Sequence, residues 1–130
     1  MLDLSVRAEP AVLHEIRRTV RGLADQLGID RERAQDLQVA VGEALSNAIA
    51  HAYLSGPGMI HLRARRHGAV LVVEVEDHGR WRTRRFNSRG YGLRLMRTLM
   101  DSVSVNTTAN GTTVRLTLAL PNGPRGRRSL

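Results

Sequence analysis

The sequence has no cysteine, no lysine and few aromatic residues. Without cysteine there can be neither disulfides nor thiolate metal sites, which excludes a disulfide-stapled secreted scaffold and a zinc finger and fits a reducing cytosol. The longest uninterrupted apolar run, residues 69–73, is far too short to span a bilayer, and the first ten residues lack the basic-then-apolar order of a signal peptide. The sequence therefore predicts a cytoplasmic protein with no membrane partner.

Positive charge is in excess, with a formal net charge of +8, and all 20 basic residues are arginine. Such an excess normally suggests a polyanionic partner. However, aromatic residues make up only 3% of the chain, so the stacking platforms of a single-strand binder are missing. The arginines are densest at residues 80–89 and 125–128, which we interpret as a solvated loop and a basic tail with no direct nucleic-acid contact. Nucleic-acid binding remains an alternative that depends on charge alone. A salt-dependent mobility shift of random DNA in the presence of the protein, at physiological ionic strength, would support it.

At 130 residues and 42% hydrophobic content, the chain is the size of one domain with a real core. Hydrophobic periodicity and turn residues predict the order β-α-α-β-β-loop-α-β-β. The first predicted elements are a strand over residues 2–6, a helix from Pro10 to Gly28, a helix capped by Asp30 that ends near residues 55–58, and a hairpin turning at His67-Gly68. They are followed by a loop over residues 78–90, a helix over residues 92–100, a strand that includes Val103 and Val105, and a last strand over residues 113–120, joined to the previous one through residues 109–111. This order indicates an α+β fold: a two-layer α/β sandwich whose mixed, largely antiparallel sheet has helices on one face.

Three polar residues in the second predicted helix, Glu43, Asn47 and His51, are spaced by four. Each advances only about 40° round the helix axis, so the three form one polar ridge. The amide oxygen can ligate a hard Mg²⁺, while the carboxylate can orient or deprotonate a nucleophile beside a phosphate. In isolation, such a trio is more often a solvated helix face.

Further parts of a nucleotide site follow in chain order. Asp77-His78-Gly79 lies at the end of a predicted strand. The Asp77 carboxylate can accept a hydrogen bond from an adenine amino group at this position. The segment R-G-Y-G-L at residues 89–93 opens a helix whose free N–H groups can bind a polyphosphate. Gly111-Thr112 lies at the head of the last predicted strand, and a hairpin turn is enough to explain this pair of residues. Each motif is weak alone, whereas the ordered set is a strong signal.

Together, the segments E-A-L-S-N-A-I-A-H, V-E-D-H-G, R-G-Y-G-L and N-G-T-T-V resemble the N, G1, G2 and G3 boxes of the GHKL (histidine-kinase-like) ATPases. Within these ATPases, the sequence more closely resembles the anti-sigma-factor serine/threonine protein kinases of bacterial partner-switching systems. The resemblance covers roughly residues 2–120. It implies an ATPase domain over residues 1–120, followed by a disordered basic tail over residues 121–130.

The resemblance also implies a role for each matching residue, with ATP and Mg²⁺ as cofactors. Asn47 would ligate Mg²⁺, and Glu43 would be the catalytic base for the substrate hydroxyl. The adenine would be recognised by Asp77, assisted by Gly79 and Thr112. The residues expected around the phosphates are Gly90, Gly92 and Leu93, with positive charge from Arg89 or Arg94. His51 is assigned no direct ligand contact.

The function that the resemblance implies is an ATP-dependent kinase that phosphorylates an anti-sigma-factor antagonist and sequesters a sigma factor. Two departures from the family pattern favour an alternative function, a non-catalytic switch in which nucleotide controls partner binding. Trp81 replaces the second glycine expected in the first glycine box, and the segment over residues 78–89 is short and rich in arginine. The identity of the partners, dimerisation and membership of a larger polypeptide stay open.

A sensor histidine kinase with His14 as the phosphoacceptor is a further alternative. The chain between His14 and Asn47 is too short for a two-helix dimerisation hairpin before the ATP domain. We therefore interpret His14 as an ordinary helix residue.

Overall fold

The structure is a computed structural model, and it describes residues 1–51, 58–79 and 91–121. Within these ranges the chain forms five strands and three helices in the predicted order. The strands are β1 (Leu2–Arg7), β2 (Met59–His67), β3 (Val70–Asp77), β4 (Ser102–Thr108) and β5 (Gly111–Ala119). The helices are α1 (Val12–Gln26), α2 (Arg31–His51) and α3 (Tyr91–Leu99). The predicted tail lies outside the described residues apart from Pro121, and so does most of the predicted loop.

The boundary between α1 and α2 follows from local sequence. Gly28 adopts a positive φ of 73° and ends α1, with the N–H groups of Gly28 and Ile29 donating to the carbonyls of Asp25 and Ala24. This pattern is a Schellman cap, which favours glycine at the left-handed position. Asp30 then accepts a hydrogen bond from the Arg33 N–H at 2.8 Å and caps α2. The predicted break and cap are confirmed.

The strands form one sheet in the order β1-β2-β3-β5-β4, and the pairings between the described strands are all antiparallel. Two hairpins, β2–β3 and β4–β5, lie side by side because β5 pairs with β3. The last strand begins at Gly111, two residues earlier than expected, because Gly111 pairs with Thr108 at the hairpin turn. The α+β fold with a largely antiparallel sheet is confirmed.

One face of the sheet is buried under the helices. Along β3, Leu71, Val73 and Val75 are buried, whereas the residues between them point to the other face. The helix α2 packs on β3 and β5, α1 packs on α2, and α3 packs on α2 and β4. The helix layer contributes an apolar stripe that includes Leu37, Val41, Ala44, Leu45 and Ala48. The core therefore lies between one sheet face and the helices.

The opposite face of the sheet carries paired charges. Glu74 accepts hydrogen bonds from Arg63 Nε at 3.4 Å and from Arg115 Nη2 at 2.8 Å. Burial by itself raises the pKa of Glu74, but hydrogen bonds and charge from Arg115 and Arg63 hold that pKa below its ordinary value. The two layers thus differ in chemistry, with apolar contacts on one face and ion pairs on the other.

In the described ranges, no helix has the length and apolar character needed to cross a membrane.

Candidate functional site

The predicted site residues converge at one end of the molecule because of the chain's connectivity. The helix α2 leads through residues 52–58 into β2, and β2 begins beside the end of β3, since Ile60 pairs with Asp77. Residues 78–90 then lead from the end of β3 to the start of α3. The C-terminal part of α2, the end of β3 and the first turn of α3 therefore face the same region.

Two polar side chains lie in the core at this end. Asp77 and Thr112 are each only 1% exposed, and they are the buried polar residues in the described part of the chain. They lie opposite each other in the β3–β5 register, on the face that packs against the helices. Asp77 Oδ1 accepts a hydrogen bond from the Gly79 N–H at 3.0 Å. A carboxylate in an apolar core costs folding free energy, so its presence there favours a role in ligand recognition.

The start of β5 approaches the end of β3 more closely than any side chain would allow. Gly111 has a φ of 145°, and a Cβ at this position would lie 2.0 Å from the Asp77 carbonyl oxygen and 2.8 Å from His78 Cα. Glycine is therefore required for this approach. The sequence pattern around Gly111 predicts a hairpin turn and a resemblance to a nucleotide-binding box, but not this close contact. The N-G-T-T-V segment contains the signal, but the contact with Asp77 is visible only in the fold.

A second group of predicted residues meets where α3 crosses α2. A Cβ on Gly92 would lie 2.8 Å from Glu43 Oε1 and 3.2 Å from Asn47 Nδ2. The backbone at the first turn of α3 therefore lies directly against the carboxylate and the amide of the α2 ridge. A side chain at position 92 would displace one of these groups. The fold thus brings together residues that are far apart in sequence and that were predicted to act together.

The side chain of Asn47 fits a role in ligand binding. Within the described ranges, its Nδ2 atom is buried and has no hydrogen-bond partner. Buried polar atoms are normally paired, so this N–H donor suits an acceptor on a bound group, and the amide oxygen is the atom that could ligate a cation. No cluster of three or more histidine, aspartate or glutamate side chains in the described ranges could hold a metal. A divalent cation here would need further oxygen ligands, such as those of a nucleotide's phosphates.

The other residues named in the sequence analysis differ in burial, and several lie outside the described part of the chain. Gly79 and Leu93 are half-buried, and Arg94 is exposed on α3. Arg89 and Gly90 lie outside the described residues. His51 is the last residue of α2, and its side chain also lies outside the described part of the structure. His14 is exposed on α1.

Comparison with known proteins agrees with this architecture. A family model described as the histidine kinase-like ATPase domain matches residues 6–118. The chain is 32% identical to the serine-protein kinase RsbW of Bacillus subtilis (strain 168), over 95% of this chain and 88% of that protein. It is 34% identical to the anti-sigma F factor of Thermoanaerobacter sp. (strain X514), over 90% of this chain and 92% of that protein.

Solved structures also match the fold. A crystal structure of the RsbU and RsbW domains of a Mycobacterium tuberculosis protein aligns with a TM-score of 0.69 and 22% identity, covering 92% of this chain. A blue-light activated histidine kinase of Erythrobacter litoralis aligns with a TM-score of 0.60 and 28% identity, covering 76% of this chain. The aligned region covers 33% of the length of each of those chains.

Proposed function

The chain belongs to the histidine kinase-like ATPase domain family, among the anti-sigma-factor serine/threonine kinases, and from this premise we propose that it is an ATP- and Mg²⁺-dependent protein kinase. Its substrate is a serine or threonine of an anti-sigma-factor antagonist, and it also sequesters a sigma factor. The proposal rests chiefly on the meeting of Glu43, Asn47 and Gly92, because it places a carboxylate and an amide beside the start of a helix.

The residues around α3 suit the binding of a polyphosphate. The first turn of an α-helix has unpaired N–H groups and a positive partial charge, both of which attract phosphate oxygens. Gly92 places no side chain in this turn, and Arg94 adds charge on the same helix. Asn47 would hold Mg²⁺, which when bound neutralises phosphate charge.

The residues of β3 and β5 suit the recognition of adenine. The buried carboxylate of Asp77 can accept a hydrogen bond from the adenine amino group, and Thr112 offers a hydroxyl beside it. Gly79 and Gly111 keep the neighbouring backbone close and free of side chains.

Glu43 is proposed as the base that accepts the proton of the substrate hydroxyl. Phosphoryl transfer depends mainly on positioning and on electrostatic stabilisation, with one group to orient or deprotonate the nucleophile. Glu43 lies one helical turn before Asn47, so the base and the metal ligand share one rigid helix. This arrangement holds the nucleophile beside the phosphate.

The first experimental test concerns Asn47. We expect wild-type protein to bind ATP more tightly as Mg²⁺ is added, and Asn47→Ala to lose this dependence, because alanine removes the neutral oxygen ligand. Calorimetric titration with ATP across a Mg²⁺ series measures the effect. Equal affinities of wild type and variant at every Mg²⁺ concentration would remove Asn47 from the metal site.

A second test concerns the recognition of the base. Asp77→Asn keeps one oxygen for the Gly79 N–H but turns the other terminal atom from an acceptor into a donor. We expect ATP affinity to fall by roughly tenfold to a hundredfold, since a donor then faces the adenine amino group. Competition between ATP and GTP measures the selectivity. If wild-type protein binds GTP as tightly as ATP, Asp77 does not recognise the adenine.

A further inference from the structure

The helices α2 and α3 run antiparallel and touch at two separate places. At the start of α3, Gly92 lies against Glu43 and Asn47. At the end of α3, the carbonyl oxygen of Leu99 accepts a hydrogen bond from Arg33 Nη1 at 2.8 Å. Arg33 and Asn47 stand about 21 Å apart along α2, by the 1.5 Å rise per residue of a helix. The two contacts therefore hold opposite ends of α3.

Arg33 joins three parts of the fold. Besides Leu99, Nη1 donates to Asp36 Oδ2 at 3.1 Å, and Nη2 lies 3.5 Å from both carboxylate oxygens of Asp101. Asp101 Oδ2 also accepts from the Ala119 N–H at 2.5 Å, and the Asp101 N–H donates to the Thr117 carbonyl at 3.0 Å. The guanidinium thus links α2 to the end of α3 and, through Asp101, to β5. Its positive charge also suits a helix C-terminus, where carbonyl groups are unpaired.

The helix α3 is short, and its apolar contacts with the core come from Leu93, Met96 and Leu99. Met96 is its one buried side chain within the described structure, and Leu93 and Leu99 are only half-buried. Tyr91 is 75% exposed and Leu95 is 39% exposed. In a helix of nine residues these apolar contacts lie close together, so a polar contact at its end adds a separate point of attachment.

We propose that Arg33 is a positioning residue of the nucleotide site, acting through α3. By fixing the carbonyl end of the helix, it keeps Gly92 against Glu43 and Asn47 and so sets the position of the first-turn N–H groups. A short helix moves as a rigid rod, so release of one end tilts the other end away from the ridge. The effect on ATP rests on the proposed function, whereas the effect on the position of α3 does not.

The test compares Arg33→Gln with a matched control, Arg115→Gln. Arg115 also pairs with a carboxylate, Glu74, but it lies on the sheet face opposite the helices, and Glu74 keeps its second partner, Arg63. We expect Arg33→Gln to weaken ATP binding about tenfold, the effect of losing one hydrogen bond to a charged group. Arg115→Gln should leave ATP affinity unchanged. Arg33→Lys, which keeps the charge and one donor to the Leu99 carbonyl, should recover part of the loss.

A second readout needs no nucleotide. Amide hydrogen exchange over residues 92–99 should be faster in Arg33→Gln than in wild type or Arg115→Gln, because α3 opens more often once its end is released. If Arg33→Gln is too unstable to purify, Asp101→Asn weakens the Arg33–Asp101 pair, which helps to hold the guanidinium at Leu99, and should give a smaller change in the same direction. Equal exchange over α3 in wild type, Arg33→Gln and Asp101→Asn would overturn the proposal. Absence of ATP binding to wild type would instead contradict the proposed function, and the exchange measurement would still test the role of Arg33.

Discussion

Glu43→Gln should lower the rate of phosphate transfer from ATP to the antagonist by roughly a hundredfold to ten-thousandfold, while ATP and partner affinities stay close to those of wild type. Glutamine keeps the size and hydrogen-bonding capacity of glutamate, so the contact with Gly92 is retained. It cannot accept the proton of the substrate hydroxyl. Transfer of radiolabelled phosphate, with ATP titration of the same variant, measures the two effects separately.

The same measurement distinguishes the kinase from the nucleotide-dependent switch. Asn47→Ala is the control, since it should affect nucleotide binding itself as well as transfer. If wild type transfers no phosphate to any candidate antagonist, yet binds a sigma factor more tightly with ATP present, the kinase hypothesis is wrong. The departures at Trp81 and in the short segment over residues 78–89 would then be the first features to restore toward the family pattern.

Gly111→Ala should lower the free energy of unfolding by about 3 kcal/mol or more. The new Cβ would lie 2.0 Å from the Asp77 carbonyl oxygen, and φ at this position is 145°, which an L side chain rarely adopts. The end of β3 must move to make room, so ATP affinity should fall together with stability. Urea unfolding followed by circular dichroism measures the first effect, and ATP titration measures the second.

Gly22→Ala is the matched control for this substitution. Gly22 lies in α1, is exposed, and has no atom within 4 Å of the position that a Cβ would occupy. Alanine there should raise the free energy of unfolding by roughly 0.5 to 1 kcal/mol, because glycine is unfavourable inside a helix. If Gly111→Ala unfolds at the same urea concentration as wild type, the close approach at Gly111 is not a structural requirement.

Elements with strong local signals were predicted well. The break between α1 and α2 follows from Gly28 and Asp30, whose effects act within one helical turn, and the structure has both caps. The polar ridge of α2 follows from a spacing of four on a helix. Element ends were less certain, as at Gly111, because the pairing partner sets where a strand begins.

Contacts between distant parts of the chain were not predictable from local pattern. The bond from Arg33 to the Leu99 carbonyl joins residues 66 apart, and nothing near Arg33 in sequence distinguishes it from other helix arginines. The order of the strands also gave no local signal, although the pairing of β5 with β3 is what brings Thr112 to Asp77.

The sequence by itself determined the order of helices and strands, the fold class and the four segments that resemble nucleotide-binding boxes. These features depend on residue type and spacing over a few turns of chain. Only the tertiary structure decided that Gly92 lies against Glu43 and Asn47, and that Gly111 lies against Asp77. Such contacts depend on how the helix layer packs on one face of the sheet, since burial of apolar surface specifies which faces meet and close packing then specifies which backbones can approach.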